Sequence, residues 1–321
     1  MQPQSQFRNL VFEGGGVLGI AYAGALRVMQ EKGILPDIQR VAGASAGAIT
    51  AALLAIRYDA DGIQKVVAET SFSTFMDAPG GFFGSLVRTF RNYGWFAGSS
   101  FSDWMKSCIR SAGLPESITF KELEALADSP ENMNSRDNCK YRKLYVVASD
   151  ISRGIVLQYD ANETPNKPIW EAVRASMSIP FFFAGVSDDP SLYKDPDDPS
   201  SSGEADDEGR PKVLLVDGGV TWNYPIDVFD DVRFIDNAEE KKLYEDPIKL
   251  GLKSVFDEKH VYNKQTLGFR VDSEDEVAAY KNRQQAEARQ IKSVVQYSMA
   301  LIQFMRGLAN RSHLKKLDWH R

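Results

Sequence analysis

The sequence predicts an α/β fold built around a parallel sheet. Two consecutive strand–glycine turn–helix segments carry that expectation, together with several later apolar strands set between helical stretches. Residues 9–12 (NLVF) read as the first strand, followed by glycines at 14, 15, 16 and 19. A helix is expected from about residue 18 to 32, with Ala21, Ala25, Leu26 and Met29 near one face. Gly33 would cap it and Pro36 stop it. Residues 40–42 read as the second strand, which turns at Gly43–Gly47 into an Ala-rich helix over roughly 48–57. Further strands are expected at 143–148, 154–159, 212–216 and 232–235. Residues 274–310 read as one long helix. Its stripe of Ile291, Val294, Val295, Ser298, Leu301, Ile302, Met305 and Leu308 is expected to pack on the core, with a dimer or membrane contact as the other use.

Composition narrows the function classes. The chain has 321 residues, 43% hydrophobic and 26% charged, enough to bury a large core unaided. Two cysteines, Cys108 and Cys139, cannot form a disulfide framework, and three histidines make a dedicated metal centre unexpected. The polar first residues lack the apolar run of a secretion signal. The longest uncharged stretch, residues 41–56, is short for a membrane span. A cytoplasmic protein, peripheral at membranes, is therefore expected. The net charge of −6 is local: residues 187–212 hold nine acids and three bases, and the remainder carries 35 of each. That Pro-, Ser- and Asp-rich segment reads as a mobile insertion loop. No basic run accompanies a recognition motif, so a nucleic-acid partner is not expected.

Gly14-Gly15-Gly16-Val17-Leu18-Gly19 fits the G-x-G-x-x-G pattern between a strand and a helix. As a dinucleotide site it lacks the acid expected at the end of the second strand. The same turn aims backbone N–H groups and a helix N-terminus at one point, as an oxyanion hole requires. Gly43-Ala44-Ser45-Ala46-Gly47 is G-x-S-x-G at a strand-to-helix junction, a turn that would push the Ser45 hydroxyl into the open. A serine nucleophile needs a proton acceptor. Asp217, followed by Gly218 and Gly219 at the end of an apolar strand, is placed to supply it, at the carboxyl end of what is expected to be a parallel strand. A triad with His260 is the alternative, although His260 lies in a polar stretch that looks solvated.

Taken together, Glu13–Gly19, Gly43–Gly47 and Asp217–Gly219 resemble the patatin-like phospholipases, as do Arg174-Ala175-Ser176-Met177-Ser178-Ile179-Pro180 and Tyr93-Gly94-Trp95-Phe96-Ala97-Gly98. The resemblance spans residues 9–227. It implies a three-layer α/β/α fold with a central, mostly parallel sheet, and lipid acyl hydrolysis through a Ser–Asp dyad without a cofactor. Ser45 would be the nucleophile and Asp217 the base. Gly14, Gly15 and Gly16 would form the oxyanion hole, with Gly15 and Gly16 the main donors, and Gly19, Gly43, Gly47, Gly218 and Gly219 are the motif glycines. The implied partners are a lipid or acyl-ester substrate and a transient membrane surface. Leu18 stands where the family usually carries Arg or Lys. On this reading residues 1–273 form the catalytic domain, including the acidic insertion at 187–212, and residues 274–321 a helical extension packed on it. Ten aromatics lie between Phe72 and Trp104. Most read as filler of a cap, with Phe82 and Phe83 as a lip facing membrane. Phe181-Phe182-Phe183 is expected to line the acyl site.

Overall fold

The computed structural model of the chain describes residues 5–70, 94–188, 213–242, 261–272, 290–292, 294–313 and 318. In chain order its elements are β1 (Asn9–Phe12), α1 (Ala21–Glu31), β2 (Arg40–Ala44), α2 (Ala46–Ala55), α3 (Ala60–Glu69), β3 (Gly94–Phe96), α4 (Ser99–Ser111), α5 (Phe120–Ala127), α6 (Pro130–Asn134), β4 (Lys143–Asp150), β5 (Ile155–Tyr159), α7 (Ile169–Ser176), β6 (Phe181–Phe183), β7 (Val186–Asp188), β8 (Val213–Asp217), β9 (Thr266–Phe269) and α8 (Val294–His313). Expectations that fall on Phe82, Phe83, His260, residues 189–212 and residues 273–289 lie outside the described residues.

A central sheet runs in the order β7-β8-β4-β2-β1-β9, with β5 also paired to β4. The half from β9 through β1 and β2 to β4 is parallel, as the two glycine-turn units require. The other half is antiparallel, because β5 and β8 both pair with β4 in the opposite sense and β7 with β8. The sheet is thus mixed, and Asp217 ends an antiparallel strand rather than a parallel one. β3 and β6 form a separate parallel pair.

Side chains alternate across the sheet, so each strand feeds two cores. Leu10, Phe12, Val41, Leu144 and Val146 face the helices, packing with Leu26 of α1, the alanines and leucines of α2, Phe101 and Met105 of α4, Leu123 of α5 and Val173 of α7. Val11, Ala42 and Tyr145 face the other way, onto Tyr224, Ile226, Phe229 and Phe234. All ten residues of α2 are buried. A helix without charged residues and apolar on every side belongs at the centre of a fold.

Four local expectations are corrected. The first helix begins at Ala21, since residues 16–20 form a 3₁₀ turn where Gly16 has φ +54°. Residues 232–234 are a 3₁₀ turn rather than a strand, because the Asp231 carboxylate accepts from the Arg233 N–H and offers the backbone a local partner. The single helix expected over 274–310 is interrupted, since residues 290–292 are not helical, so Ile291 lies outside α8. On α8 the stripe is rotated from the one expected: Ile302 and Ala309 are buried, whereas Leu308 is exposed, with Tyr297 and Phe304 exposed beside it.

Candidate active site

β2 and β8 meet end to end along one edge of β4. β5 occupies the other edge over residues 146–150. β2 pairs with residues 143–147 and β8 with residues 148–150, so these two share the remaining edge. They run toward each other. Ala44, the last residue of β2, lies opposite Val147, and Asp217, the last residue of β8, lies opposite Ala148. The antiparallel sense of β8 therefore delivers Asp217 to the residue that follows β2. Ser45 Oγ donates to Asp217 Oδ2 at 2.6 Å.

Ser45 holds a backbone conformation that L-residues rarely adopt, with φ 52° and ψ −124°. Such strain persists only where the surroundings over-determine it. Here they do. The Ser45 carbonyl accepts from the N–H groups of Ala48 and Ile49 at the start of α2. The Ser45 N–H donates to Ser176 Oγ at 2.9 Å, and that hydroxyl donates to the Val147 carbonyl at 2.6 Å. The turn also needs both flanking glycines. A Cβ on Gly43 would overlap the Gly47 backbone, and a Cβ on Gly47 would overlap the Phe12 carbonyl. Contrary to expectation, Ser45 is not pushed into the open. It is only 6% exposed, with the Gly14 backbone against its Cβ.

Asp217 is 4% exposed. Burial pushes its pKa up from 3.8 to about 6, against the opposing pull of the Ser45 hydroxyl, the Gly219 N–H and the charge of Arg306. The Gly219 N–H donates to Oδ1 at 2.7 Å, and the main-chain N–H of Asp217 donates to the Ser178 carbonyl at 2.9 Å. The segment 174–180 therefore braces both groups, Ser176 holding Ser45 and Ser178 holding Asp217. Arg174 anchors that segment through Ser178 Oγ and the carbonyls of Ala97 and Ala184. The sequence marks this segment only by resemblance and assigns no role to its serines.

The first glycine turn lies alongside. The Gly14 N–H is taken up by the Asn223 carbonyl at 2.9 Å, which removes it from the expected set of donors. Among the described residues, the Gly15 and Gly16 N–H groups meet no acceptor. Gly19 packs against Ala46, and Gly218 against the Val147 carbonyl. Glu13, buried at the head of the turn, accepts from Asn223 Nδ2 at 2.9 Å and from the Val271 N–H at 3.0 Å. Leu18 is 45% exposed and brings no charge. Phe181 and Phe183 line a pocket of about 410 Å³ with Pro180, Leu214 and Val216. Leu214 and Val216 alternate with Asp217 along β8, so this pocket sits on the opposite face of the strand from the carboxylate. Among the described residues no three His, Cys, Asp or Glu side chains converge in a way that suits a metal ion.

The patatin-like phospholipase sequence profile matches residues 10–230. The chain belongs to that family. The patatin-like region holds β1 through β8, both glycine turns, the 174–180 brace and the Asp217 turn, while α8 lies beyond it. The YqhO protein of Bacillus subtilis (strain 168) is 33% identical over 233 residues, 70% of this chain and 67% of that protein. Triacylglycerol lipase 4 of Saccharomyces cerevisiae is 27% identical over 236 residues, 71% of this chain but 23% of that protein. VipD of Legionella pneumophila is a solved structure with 16% identity and a TM-score of 0.47, covering 96% of this chain and 67% of the other.

Proposed function

We propose that this patatin-like chain is a lipid acyl hydrolase of the phospholipase A or lysophospholipase kind, cleaving carboxylic esters through an acyl-serine intermediate. The observation that carries the reading is the 2.6 Å contact from Ser45 Oγ to a buried carboxylate, Asp217. A direct serine–carboxylate hydrogen bond leaves no place for an imidazole between them, which favours a dyad over a triad.

Ser45 Oγ attacks the ester carbonyl as its proton passes to Asp217. The carbonyl oxygen becomes an oxyanion beside the Gly15 and Gly16 N–H groups and the N-terminus of α2. The tetrahedral adduct collapses, its carbon–oxygen bond breaks, and the departing alcohol takes the proton from Asp217. Water then attacks acyl-Ser45, gives its proton to Asp217, and the fatty acid leaves as Ser45 regains a proton. A carboxylate of ordinary pKa is a feeble base near neutrality, and burial of Asp217 moves it toward the working range. The yeast relative is named a triacylglycerol lipase, so both phospholipid and neutral acyl esters belong in the substrate panel.

Contact with a membrane surface is part of the same proposal. No described helix is long and apolar enough to cross a membrane. The exposed face of α8 carries Tyr297, Phe304 and Leu308, and residues 288–317 contain six bases and no acid. That is the chemistry of a helix lying on an anionic interface.

The deciding experiment is labelling with a fluorophosphonate, alongside hydrolysis of a lipid panel. Wild type should be labelled and active. Ser45→Ala should lose labelling and at least about a thousandfold in turnover. Full turnover in Ser45→Ala would end the proposal.

A further inference from the structure

We infer that the C-terminal helix α8 is part of the active site: Arg306 and Asn310 act as positioning residues that hold the oxyanion turn and the Asp217 turn in register through Asn223 and Glu13. The inference rests on the Ser45–Asp217 reading above and adds residues that lie outside the 10–230 family match.

Four hydrogen bonds build the link. Arg306 Nε donates to Asn223 Oδ1 at 3.0 Å. Asn310 Nδ2 donates to Glu13 Oε1 at 2.6 Å. Asn223 Nδ2 donates to that same Glu13 oxygen at 2.9 Å, and the Asn223 carbonyl takes the Gly14 N–H. Asn223 Oδ1 is wedged between the two turns, since a Cβ added to Gly14 would come within 2.6 Å of it and one added to Gly219 within 2.7 Å. Arg306 and Asn310 are one helical turn apart, so the rigid helix spans both anchor points. Ile302 and Ala309 bury the same face. Asn223 and Glu13 are 1% and 2% exposed. Buried polar groups demand partners, and α8 supplies two of them.

The link also brings charge. Arg306 is the cation on α8 that acts on Asp217, and it favours the ionised carboxylate. Among the described residues, the other charged side chains on elements packed around Asp217 include Glu13, set against Arg270 with Asp272 nearby, Lys143 and Asp150 on β4, the latter with Arg153, Glu171 and Arg174 on α7, and Asp188 on β7, paired with Lys167. Leu18 is exposed and brings no charge, so the guanidinium that acts on Asp217 comes from the far end of the sequence.

The test is the pH dependence of kcat/KM on a soluble short-chain ester, with fluorophosphonate labelling of the same samples and a Tm for each. Arg306→Gln should move the acid limb to higher pH, lowering the rate at pH 5.5 about two- to threefold beyond a severalfold fall in kcat that it shows at every pH, because both the charge and the hold on Asn223 are altered. Arg306→Lys keeps the charge and should hold the limb at its wild-type position while kcat falls. Asn310→Ala should lower kcat about tenfold at every pH with the limb unmoved. A folded Arg306→Gln that matches wild type in limb and kcat overturns the inference. Should Arg306→Gln fail to fold, a limb that moves in Arg306→Lys overturns it instead. Labelled wild type with indistinguishable variants overturns this inference alone. Absence of Ser45-dependent labelling in wild type overturns the dyad reading and this one with it.

Discussion

Asp217 gains basicity from the same burial that makes it costly to the fold. Its proton affinity is raised because the ionised form is desolvated. The folded state therefore binds this proton more tightly than the unfolded chain. The contribution to stability is fully present below pH 3.8 and is lost as pH rises through about 6. Asp217→Asn removes the ionisation while keeping the shape. It should be inactive, yet more stable than wild type by roughly 2 kcal/mol at pH 7, with the difference gone at pH 4. Urea unfolding at the two pH values reads this directly, and a difference that ignores pH would remove burial as the source of the basicity. The same titration predicts an acid limb near pH 6 in the wild-type rate profile. Ser45 shows the complementary economy, because its strained φ is held by Ser176, which touches no substrate in the proposed cycle.

The element that fixes the frame of the site is β4, and its anchor is a residue to which the sequence analysis gave no role. Arg142, just before β4, is fully buried, and burial pulls its guanidinium pKa down to about 9. It donates to the carbonyls of Leu54 and Lys140 at 2.9 Å, Asn138 at 2.9 Å and Leu35 at 3.1 Å. The end of α2, the turn before β2 and the entry to β4 are thereby tied at one point. Burying the charge opposes stability, while four charge-assisted hydrogen bonds favour it and leave orphaned carbonyls when they are removed. The second effect should win. Arg142→Met is expected to cost about 3 kcal/mol in urea unfolding, and an unchanged midpoint would mean that the two effects cancel. On α8, the periodicity of the sequence suggests a uniform apolar face, but the docked face is Ile302, Arg306, Ala309 and Asn310. A polar pair interrupting an apolar stripe was the available signal, since a partly buried arginine and asparagine need specific partners.

For the whole molecule, α8 has one face on the site and another in solvent. On the proposed reading, lipid contact by the outer face and the Arg306 and Asn310 contacts to Asn223 and Glu13 share one rigid element. Tyr297→Ser/Phe304→Ser/Leu308→Ser should reduce flotation with phosphatidylglycerol vesicles by about tenfold or more, since each buried side chain of this size contributes roughly 1.5–3 kcal/mol. Hydrolysis of a soluble ester should be retained. Undiminished flotation would assign that face to another partner, and concentration-dependent dimers lost in the triple variant would identify a second copy of the chain.

The amino-acid sequence alone determined the α/β class, the two glycine turns and the identity of Ser45 and Asp217 as a candidate pair, because these depend on local backbone demands. A turn too tight for a Cβ requires glycine wherever it occurs, and the requirement is written at the position itself. Tertiary structure decided everything that depends on pairing between distant segments. It made β8 antiparallel and brought it head-on to β2, gave Ser176 and Ser178 their bracing contacts, tied the Gly14 N–H to the Asn223 carbonyl, and linked Arg306 and Asn310 to Asn223 and Glu13. Hydrogen-bond partners far apart along the chain leave no periodic trace in it, and a strand whose first four residues are apolar, as in β8, packs equally well in either direction until its neighbours choose.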